Sequence, residues 1–425
     1  MRHLAHNGRL VAVSAVAALV LAACGSGTDD PGTQQTSDQQ TETHDDMGQD
    51  AAGEDPFGAL KRAANHVGND GSAQAVAGGV AAAAGLEGDI ESPAAQAYAS
   101  LATLLQEHVY LAGIAVDMGL SAGLDSREFE AAAAALDENS VELADVVGSV
   151  GGEEKRDAFL GLWREHIGFF VNYAEGAAGG DDDMKQQALD NLDGYRQQAG
   201  AFFQEVTGGE LPADAVAESL SGHIDTLTQA IDAAAAGDTS VFAELKEAAT
   251  HVGEDGSAKA LASGVAAAAG LEGDIEAPAV QAYVTLSTLL EEHVYLAGIA
   301  VKTAYSAGLD SPAFEAAADT LDENSVELAD VVGSVAGEDK RDAFLDLWRE
   351  HIGFFVNYAE GAAGNDDDMK QQALDNLDGY RQQAGAFFEE VTGGELPADA
   401  VAESLSGHID TLTRAIDALA AALTG

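Results

Sequence analysis

The chain has 425 residues, 46 % of them apolar and 22 % charged, enough material for more than one hydrophobic core. Its 73 acidic against 19 basic residues leave a net charge of −54. That charge excludes nucleic acid as a partner, because such binding relies on Lys and Arg neutralising phosphates. The single cysteine, Cys24, excludes a disulfide within the chain and any thiolate metal cluster.

The N-terminus reads as a secretion signal. Arg2 and Arg9 form a basic leader, and Leu10 to Leu21 is a nearly unbroken apolar run. That run is about a dozen residues, short of the roughly 20 that span a bilayer. The segment Leu21-Ala22-Ala23-Cys24 resembles the lipobox of bacterial lipoproteins. The expectation is a signal peptide over 1–23, cleavage before Cys24, and a lipid such as palmitate on that cysteine. The mature chain would then be anchored to the extracytoplasmic face of a cell membrane. Residues 24–56 carry no apolar pattern and are rich in Gly, Thr, Gln and Asp, so they read as a flexible acidic tether. His44 falls within it.

The body is one module written twice. FGALKRAANHVG at 57 returns as FAELKEAATHVG at 242, ENSVELADVVGSV at 138 returns at 323, and HIDTLT at 223 returns at 408. The offset is 185 residues throughout, which divides the body into copies at 57–241 and 242–425. Within a copy the apolar period is helical: Leu101, Leu104, Leu105, Leu111 and Ala115 share one face, as do Phe159, Leu162, Trp163, Phe170 and Tyr173. Helices are predicted near 57–67, 73–85, 93–121, 127–149, 153–176, 182–206 and 212–236, with equivalents 185 residues on. Start signals support them: Asp125-Ser126 with Glu128, Ser311-Pro312, and the run Asp181-Asp182-Asp183. The Gly- and Ala-rich stretch 73–85 reads either as a close-packing helix or as a connector. The fold class expected is all-α, as two tandem antiparallel helical bundles.

Histidine placement carries the functional reading. Outside the leader and tether, eight histidines form four pairs at the repeat offset: His66/His251, His108/His293, His166/His351 and His223/His408. His108 lies four after Leu104 and three before Leu111, His166 lies between Leu162 and Phe170, and His223 between Leu220 and Leu227. Each therefore points inward from a different helix, and bundles build metal sites in this way. His66, just before Gly68, stands as a fourth ligand or a helix cap. Neutral imidazole suits zinc and copper. A core histidine held only by packing is the competing reading. Glu107 and Glu165, beside His108 and His166, would flank the site or lie on a solvated face.

HExxH, phosphate-loop and GxGxxG signatures are lacking, and Asp-rich GGDDDM departs from the calcium-loop pattern. The segments LLQEHVYLAGIA at 104, LWREHIGFFVNYAEG at 162, GGELPADAV at 208 and HIDTLT at 223 resemble a group of secreted bacterial helical proteins often labelled "copper amine oxidase". The enzyme label does not carry over, because those oxidases share an Asn-Tyr-Asp/Glu cofactor motif, and here Asn172-Tyr173 is followed by Ala174. The expected function is a membrane-anchored lipoprotein that binds copper or zinc through histidines in each copy, for storage, buffering or delivery, and that is not an enzyme. The alternatives are an envelope interaction module with structural histidines, and an enzyme using a three-histidine metal with an open position. The acidic surface points to a high-salt habitat.

Overall fold

The computed structural model describes residues 55–69, 72–253 and 257–424. The expected signal peptide, Cys24 and nearly all of the tether with His44 lie outside the described residues. Those described form helices and no strand. In chain order they are α1 (Pro56–Gly68), α2 (Ser72–Ala84), α3 (Pro93–Ser121), α4 (Arg127–Gly151), α5 (Glu153–Gly179), α6 (Asp182–Val206) and α7 (Ala213–Ala236). Then follow α8 (Val241–Gly253), α9 (Ser257–Ala269), α10 (Pro278–Ala307), α11 (Pro312–Ala336), α12 (Glu338–Gly364), α13 (Asp367–Val391) and α14 (Ala398–Leu423). The stretch near 73–85 is a helix.

The starts are set by local chemistry. Ser126 accepts from the amide of Phe129, Ser311 from that of Phe314, and Asp181 from that of Met184, so otherwise unpaired amides of each first turn are satisfied. Pro93, Pro278 and Pro312 occupy the first turn of α3, α10 and α11, where a missing N–H costs nothing. The ends of α5 and α7 use Gly180 and Gly237 in the left-handed region (φ 61° and 67°).

Packing does not follow the sequence repeat. Helices α3 to α7 pack on one another in succession, and α8 and α9 complete the group by lying on α7 and α3. Helices α10 to α14 form the equivalent group, completed by α1 and α2 from the N-terminal end of the body, which lie on α14 and α10. The first helix pair of each copy thus packs on the other copy's last and longest helices. Leu60 of α1 sits over Gly298 of α10, and Leu245 of α8 over Gly113 of α3, so close that a Cβ on either glycine would collide with the leucine. Across the middle, α3 and α10 lie against each other. Reciprocal bonds stitch the loops before them, Ala94 N–H to the Glu272 carbonyl and Ala279 N–H to the Glu87 carbonyl, each 3.0 Å.

Both central helices are long and apolar enough to cross a membrane, but about four-fifths of the relevant window is buried in protein (78 % for α3, 83 % for α10). They act here as core helices, enclosed by neighbours over their middle turns.

Candidate metal centre

Three histidines from α3, α5 and α7 converge. His108, His166 and His223 are each no more than 5 % exposed, and each offers a ring nitrogen within 4.8 Å of the other two. His293, His351 and His408 from α10, α12 and α14 form the same cluster. In the second triad the Nε2 atoms of His293 and His351 stand 3.4 Å apart. Two nitrogens at bonds of about 2.0–2.1 Å to one tetrahedral ion are separated by roughly 3.3–3.4 Å, so this spacing already fits. Both triads can hold a metal ion.

The surroundings are aromatic. Trp163 lies 4.8 Å from the His108 ring and 4.5 Å from that of His166, Tyr195 stacks on His166 at 4.7 Å and 16°, and Phe170 meets His223 edge-on at 5.6 Å. Trp348, Tyr380 and Phe355 repeat the arrangement in the second triad. Burial in this lining holds the imidazoles neutral. The pKa of His166 falls to about 3 and that of His223 to about 4, chiefly because burial penalises charge and secondarily because other imidazoles are near. His293 and His408 fall to about 3 and about 4 for the same reasons, and His108 and His351 are held well below the ordinary range. Imidazoles that stay neutral keep a lone pair for a metal well into the acid range.

The Nδ1 atoms of all six triad histidines are buried without a hydrogen-bond partner. Ligating histidines usually donate through the second nitrogen to a carbonyl or carboxylate. Here ring stacking does the orienting instead. The Trp163 carbonyl, close to His166 without hydrogen-bond geometry, nudges that ring's pKa back upward.

The remaining candidate histidines are placed differently from the sequence expectation. His66 does not join His108, His166 and His223. It packs against Gly407 of α14, where a Cβ would collide with its Nε2, and its proximity lowers the pKa of His408. His251 likewise packs against Gly222 of α7 and acts on His223. Each belongs to the other copy's surroundings, because α1 and α8 are exchanged, and neither is within the converging set.

Sequence reasoning missed a second buried polar system. Glu107 neither flanks the triad nor faces solvent. It is fully buried, accepts from Asn139 (3.0 Å), Asn65 (3.0 Å) and the Tyr295 hydroxyl (2.9 Å), and lies 3.5 Å from the Lys61 ammonium. Glu292 mirrors it, accepting from Asn324 (3.0 Å), the Tyr110 hydroxyl (2.8 Å) and Gln106 (3.2 Å), with Lys246 at 3.5 Å. Tyr110 and Tyr295 stack between them at 5.4 Å. Burial outweighs the lysines, so the pKa of Glu107 is raised and that of Glu292 reaches about 7. The available signal was the position of Glu107, three after Leu104 and four before Leu111, inside an apolar stretch with no polar face of its own. Glu165, by contrast, is exposed.

Comparison with family models, with curated proteins and with solved structures finds no match, so the site is interpreted from its own geometry.

Proposed function

We propose that the protein is an extracytoplasmic metal-binding lipoprotein that holds one ion in each helical group, anchored by lipid at Cys24. The observation that carries this reading is the convergence of three buried, neutral imidazoles from three helices, repeated in both copies. A packed core has no need to turn the ring nitrogens of three imidazoles towards one another, since buried lone pairs that face each other cost free energy unless a partner satisfies them. An ion bound through the triad is such a partner.

Copper and zinc both suit imidazole. The triads contain no carboxylate or thiolate to offset a double charge, and the cost of burying an ion climbs steeply with its charge. That balance favours the cuprous ion, which the indole of Trp163 or Trp348 supports by a cation–π contact. Storage, buffering or delivery follows from an aromatic-lined site that lacks a catalytic acid or base better than turnover does.

Trp163 and Trp348, the only tryptophans, lie one in each site and report on it. Loading tag-free protein with copper or zinc should bind two equivalents per chain, and copper should quench both tryptophans. His108→Gln with His166→Gln should leave one equivalent and quench Trp348 alone. The melting temperature should rise, since saturation at a hundred times the Kd adds about 2.7 kcal/mol per site. Failure to bind any metal, with melting unchanged, would overturn the reading.

A further inference from the structure

Each triad borders a small cavity of similar size, about 80 Å³ beside His108 and His223 and about 90 Å³ beside His293 and His408, and the two helical groups differ in a larger one. In the first group a cavity of about 830 Å³ is lined by helices α3 to α7 and includes His108 in its wall. Its lining is mainly aliphatic and aromatic, with Val116, Leu120, Phe129, Ile167 and Phe170. Polar groups are fewer, and include the acidic Glu175 and Asp181. In the second group the equivalent cavity measures about 400 Å³, and no triad histidine lines it.

Two substitutions between the copies narrow the second cavity. Leu120 of α3 becomes Tyr305 of α10 at the repeat offset. The Tyr305 hydroxyl donates to the Ala359 carbonyl of α12 at 3.0 Å, so the ring spans from α10 to α12. The matching Ala174 lines the open cavity of the first group. The neighbouring change of Gly119 to Ala304 narrows the same wall further.

We infer that the first helical group is a binding site for an uncharged small molecule with an apolar body, seated between α3, α4 and α5 with one end at His108, and that Tyr305 denies the second group the same ligand. The volume lies within the range of about 300–1,000 Å³ typical of small-molecule sites. The lining selects the chemistry. An anion would meet Glu175 and Asp181, and a charged group of either sign would lose its hydration against the aliphatic wall. Cavity and selectivity stand on the protein alone. Only the contact between ligand and ion rests on the metal reading, three histidines leaving a coordination position free.

The test uses the metal-free mature chain and the neutral fluorophore N-phenyl-1-naphthylamine, whose emission rises in apolar surroundings. One saturable site per chain is expected. Leu120→Tyr should abolish it, and Tyr305→Leu should raise the stoichiometry to two, with circular dichroism confirming that both variants stay folded. The anionic analogue 1-anilinonaphthalene-8-sulfonate should bind far more weakly. Absence of a saturable site in the wild-type chain, or unchanged binding in Leu120→Tyr, would overturn the inference. In cobalt-loaded protein, 4-phenylimidazole should shift the visible spectrum through the first site only, and the shift should vanish in Leu120→Tyr. Failure of both cobalt and the cuprous ion to load, with dye binding intact, would sink the metal reading and leave the cavity assignment standing.

Discussion

Glu291 is the side chain that fits its surroundings least well. It occupies the position that Gln106 holds in the first copy, fully buried in α10, and neither carboxylate oxygen has a hydrogen-bond partner. Burial first, and the nearby Glu107 second, push its pKa well above the usual carboxylate range. A carboxyl whose folded-state pKa is raised stabilises the fold below its unfolded pKa of about 4.3 and loses that contribution as pH rises towards the folded value. Gln106 shows what an amide does at this position, because its Nε2 donates to Glu292 at 3.2 Å. The expected outcome for Glu291→Gln is therefore a more stable protein at pH 8, by about 1–3 kcal/mol, with a much smaller gain at pH 5. Thermal melts of both proteins at the two pH values decide the matter, and a variant that melts lower at pH 8, or gains equally at both, would contradict this account. The same sign argument runs the other way for the triads, whose depressed pKa values leave the imidazoles neutral and the fold exposed to acid as pH falls below about 6.5.

At the scale of helices, the sequence made the elements legible and left their partners open. The 3.6-residue period places α3, α6 and their repeats to within a residue or two, and it puts His108, His166 and His223 on inward faces because leucines and aromatics flank them at three and four positions. Periodicity says which face is apolar, but two nearly identical copies present nearly identical faces. It therefore cannot say whether α1 covers α7 of its own copy or α14 of the other. The same ambiguity hid the true neighbours of His66 and His251. Glu107 was missed for a different reason, since adjacent helical positions point about 100° apart and only a helix enclosed on all sides buries both Glu107 and His108. The exchange has a direct chemical test, because Ser404 of α14 lies 2.7 Å, oxygen to oxygen, from Ser72 of α2, and Ser219 of α7 lies 2.6 Å from Ser257 of α9. In a chain lacking residues 1–24, and hence any other cysteine, Ser72→Cys with Ser404→Cys should oxidise to an intramolecular disulfide, visible by non-reducing electrophoresis. Ser72→Cys with Ser219→Cys, the pair that a self-contained first copy would bring together, should not. The reverse pattern would show that each copy folds on its own helices.

Charge acts on the molecule as a whole. The basic side chains are largely committed to local ion pairs such as Arg341 with Asp330 (2.6 Å), Arg349 with Asp322 (2.6 Å) and Lys185 with Asp232 (2.6 Å). Exposed pairs of this kind each contribute only about 0–1 kcal/mol, and they leave the net −54 uncompensated over the rest of the surface. Acidic groups crowd some helix starts, as at Asp181, Asp182 and Asp183, where the first turn favours them, but most have no such local compensation. In dilute buffer the folded chain therefore repels itself more than the expanded chain does. The screening length falls from about 10 Å at 0.1 M to about 3 Å at 1 M salt, shorter than most separations between exposed charges. The melting temperature of a chain lacking residues 1–24 should accordingly rise substantially between 0.1 M and 2 M KCl. Sodium sulfate is a poor substitute, because it also strengthens apolar burial. The buried triads and the Glu107–Lys61 system are largely shielded from screening, so the rise should persist when all six triad histidines are replaced by Gln, provided that variant folds. A melting temperature that is flat or falling across the KCl range in the unaltered chain would mean that the acidic groups are spaced well enough to be harmless at low salt. The high-salt habitat would then lose the only physical argument in its favour.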